Sequence, residues 1–549
     1  MNKLLALFLT ITLLPGCFNS SSQSPPTAGI TSSGFNNASF TTTHFAGSQT
    51  CSICHNGLTD INGTDVSIEQ DWASTMMANS ARDPLFRAKV ASEVIRNPQF
   101  KSEIEDKCSR CHTPMANVEA KNSGQPVALL PPGFLSSDHA LFDAAMDGVS
   151  CTLCHQIENS ADFGLPSSFS GEFTVGNNKQ IYGPFSQPVA APMTNFSGYT
   201  PVFSAHISSS DSCSSCHNLF TDVVDANSGE LTGTQFPEQV TYNEWEQSSF
   251  GAEGSSNQKS CQNCHMPETN GVKVSTLGMM LPDRDNFSQH YLVGANAFML
   301  GILNDNKSLL GVKANNFETV IKRTRDLLKS AASLEVLNSS NNAGTLKFTV
   351  RIKNHSGHKL PSGYPARRAY LHITITDNSG NTVFESGKMN SNGSIVGVDS
   401  DSNKVNHEPH FDTITSNQQV QVYESIMQNT NSEITYTLLN GASYKKDNRL
   451  LPAGFNLDTA TTDVMPDSET LKDSNFTAAT DDVYFQLDVN GTGPFTVNVE
   501  FNYQSVAYQY AQDLFTDLGK HNYINTFKSV YDAAKKEKET IAEITAIID

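Results

Sequence analysis

From residue 341 onward, apolar and polar residues alternate with a period of two. TLKFTVRIKN (345–354), AYLHITIT (369–376), QQVQVYESIM (418–427), ITYTLLNG (434–441), VYFQLDV (483–489) and FTVNVEFNY (495–503) each read as a strand with one face turned inward. Asp377-Asn378-Ser379-Gly380 and Asn490-Gly491 supply turn chemistry between strands. Strand following strand, with no helical run between, predicts a β-sandwich-like domain over 339–505. Ahead of it the period changes. NNFETVIKRTRDLLKSAASLE (315–335) has the apolar spacing of an amphipathic helix, and Ile68 to Val94 reads as a helical pair broken near Asp83-Pro84. Residues 160–205 read as loop, and 506–549 as a helical segment whose charged run, Lys535 to Glu539, is a solvated face. The fold class expected is α+β: a helical and loop N-terminal domain over 44–338, the β-sandwich-like domain, and a C-terminal helix.

One further apolar run, Leu4 to Leu14, follows Lys3 and is too short to span a bilayer, so 1–16 reads as a signal peptide. Leu14-Pro15-Gly16-Cys17 resembles a bacterial lipobox, with Pro15 unusual at its place. Cys17 is then the lipidation site; the alternative is an ordinary secretory signal with a spare thiol. Phe18 in place of an Asp fits export to the outer membrane, on its periplasmic or cell-surface face. Residues 17–43 are rich in Ser, Thr, Asn and Pro without periodicity, and read as a flexible tether.

Cysteine usage changes the picture most. Of eleven cysteines, Cys17 stands alone and ten fall in five C-x-x-C-H motifs. These are Cys51-Ser-Ile-Cys54-His55, Cys108-Ser-Arg-Cys111-His112, Cys151-Thr-Leu-Cys154-His155, Cys213-Ser-Ser-Cys216-His217 and Cys261-Gln-Asn-Cys264-His265. No cysteine is left for a disulfide framework. The pattern is that of c-type haem attachment: two thiols add across the porphyrin vinyl groups, and the next residue places an imidazole under the iron. Structural zinc uses paired C-x2-C knuckles with no obligatory adjacent His, and five knuckles leave one unpaired. A thioredoxin-like C-x-x-C occurs once, near a βαβ pattern. The expectation is five c-type haems, with His55, His112, His155, His217 and His265 as proximal ligands. Haems that form the core also account for the sparse regular structure between motifs.

The haem region resembles multihaem c-type cytochromes of the cytochrome c554-like group. The resemblance rests on the five motifs, on Gly148-Val149-Ser150-Cys151, on Asp71-Trp72-Ala73-Ser74-Thr75-Met76-Met77, and on Arg284-Asp285-Asn286-Phe287-Ser288-Gln289-His290 with Val293-Gly294-Ala295-Asn296. The β region is similar to C-terminal parts of multihaem proteins from metal-reducing bacteria through Gly357-His358-Lys359-Leu360-Pro361-Ser362-Gly363 and Lys446-Asp447-Asn448-Arg449-Leu450-Leu451-Pro452. The resemblance implies electron carriage in respiration.

Ten of the fifteen histidines lie outside the motifs. His44 and His206 each precede a proximal His by eleven residues and His139 precedes His155 by sixteen, offsets that let the chain loop back over a haem. His290 follows the last motif, and His358 sits in the Gly-His-Lys-Leu-Pro loop. These five are the candidate distal ligands. His355 and His407 with His410 complete two H-x2-H pairs and read as loop residues; His372 reads as solvent-facing, and His521 carries no signal. In related cytochromes a His follows the Trp-containing helix start, where this chain has Met76-Met77. Met77, and after it Met76, is the alternative distal ligand, against an ordinary role as core filler.

The net charge is −20, which argues against nucleic acid as a partner. It suits docking to other redox proteins of the envelope, with the membrane reached through the lipid anchor. The reading is an electron carrier rather than an enzyme. The alternatives are a multihaem reductase with one open-site haem, although no C-x-x-C-K is present, and a subunit of an extracellular cytochrome filament.

Overall fold

The computed structural model describes residues 38–549 except Met279. The signal peptide, Cys17 and most of the tether lie outside the described residues. No helix among the described residues is long and apolar enough to cross a membrane.

The first half is built of short helices and long connections. The break near Asp83-Pro84 is a helix start: Asp83 accepts hydrogen bonds from the N–H groups of Leu85 and Phe86, and Pro84 fills the first turn of Pro84–Arg96. That helix buries Phe86 and Val90 in a core with Trp72, Leu300, Phe317 and Val320. Phe527, Val530 and Tyr531 of the C-terminal helix Asn522–Ala533 join the same core. The amphipathic helix expected over 315–335 spans Phe317–Lys329, and its apolar stripe Phe317, Val320, Ile321, Thr324 and Leu328 is the buried one.

The second half contains two sheets. One orders its strands Ser443–Asp447, Val422–Gln428, Arg368–Thr376, Phe495–Gln504 and Glu539–Ile548, with Thr382–Ser386 also paired to Arg368–Thr376. The other orders Thr413–Ile414, Thr480–Asp488, Thr345–Asn354 and Ala332–Asn342. Leu346, Phe348, Val350 and Ile352 from the second sheet share one core with Leu371, Ile373, Val497, Val499 and Phe501 from the first. Alternation along each strand puts these residues on the inner face. Phe348 stands opposite Phe485 in register, with ring centroids 4.8 Å apart.

Five of the six expected strands are present, and three departures have clear causes. Residues 434–441 contain only the 3-10 turn Leu438–Asn440. Their polar groups are taken by the first half: Glu93 accepts from the N–H of Leu438 at 2.7 Å, and Lys89 donates to the Tyr436 carbonyl at 2.5 Å. Asp377 to Gly380 closes a hairpin, but Asn490-Gly491 lies between strands of different sheets and crosses from one to the other. The tail is helical over Tyr508–Leu514 and Asn522–Ala533 and ends as a strand, Glu539–Ile548. Its β-branched residues Thr540, Ile541, Ile544, Thr545, Ile547 and Ile548 favour extended backbone. The charged run before it is engaged: Arg325 donates to Glu539 at 2.8 Å, and Lys538 bonds Glu500.

Phe348→Ala is expected to cost about 3–5 kcal/mol, because a buried ring is lost from a core shared by both sheets. The urea midpoint, followed by far-ultraviolet circular dichroism, measures it; a loss below about 1 kcal/mol would show that the sheets do not depend on this ring.

Candidate functional site

Each C-x-x-C-H motif is helical: Ser48–His55, Lys101–His112, Cys151–Cys154 with His155 as its cap, Asp211–His217 and Cys261–His265. Helical spacing puts the two cysteines, three residues apart, side by side on one face, and the histidine falls next to them. All ten cysteines and five histidines of the motifs line one continuous cavity of about 1220 Å³. The ten thiols are free.

The histidine rings are oriented by backbone carbonyls. Nδ1 of His55, His155 and His265 meets the carbonyl of Val274, Tyr182 and Val293 respectively, each at 2.6 Å. Nδ1 of His112 meets the Ser80 carbonyl at 3.2 Å, and Phe86 stacks on its ring at 3.7 Å. A carbonyl only accepts, so Nδ1 carries the proton and Nε2 keeps a bare lone pair for a metal. The His217 ring makes no hydrogen bond among the described residues. Burial pushes the imidazoles down, to about 4 for His112 and His217, so they stay neutral near pH 7.

Two histidines predicted as distal ligands face these rings. His290 lies opposite His155 with centroids 6.3 Å apart and planes 27° apart; His358 lies opposite His265 at 6.4 Å and 13°. Direct stacking would bring atoms to about 3.5–4.0 Å. The wider gap matches one metal with two nitrogen bonds of about 2 Å, together with the ring radii. Nδ1 of His358 is bonded to the Lys359 carbonyl at 2.8 Å, which leaves its Nε2 bare too. Ten thiols paired at helical spacing, facing imidazoles and a shared cavity fit covalently attached haem. For His55, His112 and His217 no second imidazole faces at that spacing among the described residues.

The other three candidates lie off the cavity wall. Both ring nitrogens of His44 are used, Nδ1 with Glu119 at 3.1 Å and Nε2 with Asn177 at 2.8 Å. His206 is held by the Ser204 hydroxyl at 2.6 Å and the Ile157 carbonyl at 2.9 Å. His139 caps a turn, accepting from the Leu141 N–H at 3.1 Å. Met76 and Met77 both line the cavity; Met76 also packs against the Trp72 core, and Met77 joins none of the apolar clusters. His355, read as a loop residue, is on the wall as well, as are Arg367 and Tyr503. Nothing in their sequence context marks them. His372 lies between Glu385 and Glu500, so it is half-buried rather than solvent-facing.

The motifs have a spatial order. The helix of the first motif packs on that of the third, the Cys261 N–H donates to the Ser210 hydroxyl beside the fourth motif at 3.0 Å, and Gly171, whose N–H bonds the Ser215 carbonyl of the fourth motif, lies against Arg110 of the second. His206, five residues before the helix of the fourth motif, meets the carbonyl of Ile157, just after the third, at 2.9 Å. The first motif therefore adjoins the third, the third adjoins the fourth, and the fourth adjoins both the second and the fifth.

A second cluster, His410 with Asp473 and Asp481, has metal-like composition. Its hydrogen bonds oppose that use. Nδ1 of His410 accepts from Gln421 Nε2 at 3.0 Å and Asn448 Nδ2 at 3.1 Å. The N–H groups of Phe411 and Glu424 fix the orientation of those two amides. The ring proton is then on Nε2, donated to Asp473 at 3.1 Å, and a protonated nitrogen does not ligate.

A scan against protein-family models finds no match to this chain, and a search of curated proteins finds none. Among solved structures, the chain is similar to a penta-heme cytochrome c552 from Thermochromatium tepidum, with TM-score 0.50 and 16% identity over 92% of this chain and 100% of that one. The shared architecture is the mixed helical and sheet fold.

Burial raises Asp481 from its ordinary carboxylate value to about 6. The folded pKa lies above the unfolded one, so the stability this group contributes is complete below about pH 4 and is lost as pH rises through 6. Asp481→Asn should flatten the fall in stability between pH 4.5 and 7, by an amount on the order of 2 kcal/mol. Urea midpoints at the two pH values test this, and parallel profiles for both proteins would refute it.

Proposed function

We propose that this chain is an electron-transfer protein of the cell envelope, carrying electrons through five covalently bound c-type haems. The observation that carries this reading is the single cavity lined by every cysteine and histidine of five C-x-x-C-H motifs. A haem bound at such a motif supplies an iron that cycles between ferric and ferrous states. The chain's own residues do the rest. Paired thiols anchor each site covalently, and packing between motif segments keeps neighbouring sites close. Carbonyl-bonded Nδ1 atoms hold four proximal imidazoles with Nε2 toward the cavity. His290 and His358 supply a second imidazole to the third and fifth sites, which closes them to small ligands. The similarity in fold to a penta-heme cytochrome supports the same reading.

Export and anchoring belong to this proposal. Leu4 to Leu14 and the lipobox-like Leu14-Pro15-Gly16-Cys17 support a lipid anchor at Cys17, with the acidic chain facing water and other redox proteins as partners. A second reading, a reductase with one open-site haem, is favoured by the lack of a second imidazole facing His55, His112 or His217 among the described residues.

Intact mass of the mature protein should exceed the polypeptide by five haem masses plus lipid, and four or fewer haems after full maturation would overturn the assignment. Electron paramagnetic resonance of the oxidised protein separates the two readings, since a wire has only low-spin haems and a reductase has a high-spin one. His290→Ala should add one high-spin haem per chain at unchanged haem content; an unchanged spectrum would remove His290 from the axial set.

Cys17→Ser should release a fully haem-loaded protein from the membrane fraction. Continued sedimentation of the variant with membranes would refute anchoring by lipid alone.

A further inference from the structure

His358 is not carried by the half of the chain that holds the C-x-x-C-H motifs. It lies in the loop after strand Thr345–Asn354, next to Lys359, a lysine whose side chain is fully buried. Lys359 Nζ donates to Asp447 at 2.7 Å, and Asp447 accepts twice more from Arg449 at 2.7 Å. Arg449 also donates to Glu244 at 2.8 Å. Glu244 belongs to helix Thr241–Glu246, in the first half of the chain ahead of Cys261. Exposure of the four residues is 0% for Glu244 and Lys359, 1% for Asp447 and 2% for Arg449. Two cations and two carboxylates therefore cancel in a dry setting and bridge the two halves.

The cluster holds the loop by its backbone as well as by charge. Glu244 accepts from the Lys359 N–H at 3.2 Å and from the Ser362 hydroxyl at 2.5 Å. The Lys359 carbonyl, the far end of that residue, is the acceptor for His358 Nδ1 at 2.8 Å. The His358 carbonyl accepts from Asn354 Nδ2 at 3.0 Å and the Ser356 hydroxyl at 2.8 Å. Lys359 is thus fixed at its N–H and its Nζ, while its carbonyl sets the rotation of the imidazole. Buried ionic groups are poor value as stabilisers, because apolar residues of equal volume often do better; their attested use is to specify one arrangement.

We propose, on the reading that His265 and His358 are axial partners, that Glu244, Lys359, Asp447 and Arg449 are positioning residues for His358. They make the sixth ligand of the haem on Cys261 and Cys264 depend on docking between the two halves of the chain. The β-sheet half then completes a redox centre, beyond any role as a spacer.

The test uses the full-length, haem-loaded protein and counts high-spin haems by electron paramagnetic resonance. Glu244→Ala should show one more high-spin haem per chain than wild type at equal haem content, and added imidazole should return it to low spin. Lys359→Met, which keeps the bulk of the stem, should do the same and serves if Glu244→Ala does not fold. Arg368→Gln breaks a pair with Asp401 of similar burial elsewhere in the sheets and should leave the spectrum unchanged. Wild-type spectra in the folded Glu244 or Lys359 variant, or the same change in Arg368→Gln, would overturn the proposal. His358→Ala distinguishes the levels: if it changes the spectrum while the cluster variants do not, only the positioning role fails. If His358→Ala itself changes nothing, the axial reading falls and the positioning role with it.

Discussion

The hydrogen bond from a histidine Nδ1 to a backbone carbonyl is the contact on which the rest of this architecture turns. A cysteine pair is placed by its own helix turn, but an imidazole rotates until something stops it. In the first site the stop is the Val274 carbonyl, 219 residues away from His55; in the third, fifth and second sites it is Tyr182, Val293 and Ser80. Loops that look irregular are therefore specified at single atoms. This explains how a region of short helices and little sheet keeps four of the five sites in register: their order lies in where carbonyls point, more than in repeating ladders.

The same logic separates what was legible in the sequence from what was not. The grouping of each motif's two cysteines and histidine at one cavity wall was legible because its geometry is local, fixed within two turns of helix. The inner faces of strands such as Thr345–Asn354 were legible because alternation is local too. Distal ligands depend on distant segments meeting. Short offsets from a proximal His pointed to His44, His139 and His206, yet the structure gives those rings to Glu119, Asn177, Ser204 and two backbone groups. His290 and His358, chosen from motif context, do face a proximal ring. The strand expected at 434–441 failed for a related reason: its periodicity is real, but Glu93 and Lys89 take the groups that a ladder needs.

Composition divides the chain near residue 339, whereas contacts knit it together. Arg96, in the first half, is gripped by Asp513 at 2.6 Å and Asp517 at 2.8 Å from the tail. The tail's helix enters the first core and its last strand closes the edge of a sheet. Burying these charges is tolerable because each is paired within a few ångströms, and removing one partner would leave the other stranded.

Packing between the motif segments gives the cavity wall a shared hub. The fourth motif lies next to segments of the second, third and fifth, and the first packs on the third. A change in the helix Asp211–His217 would therefore be felt at the segments of three other motifs at once.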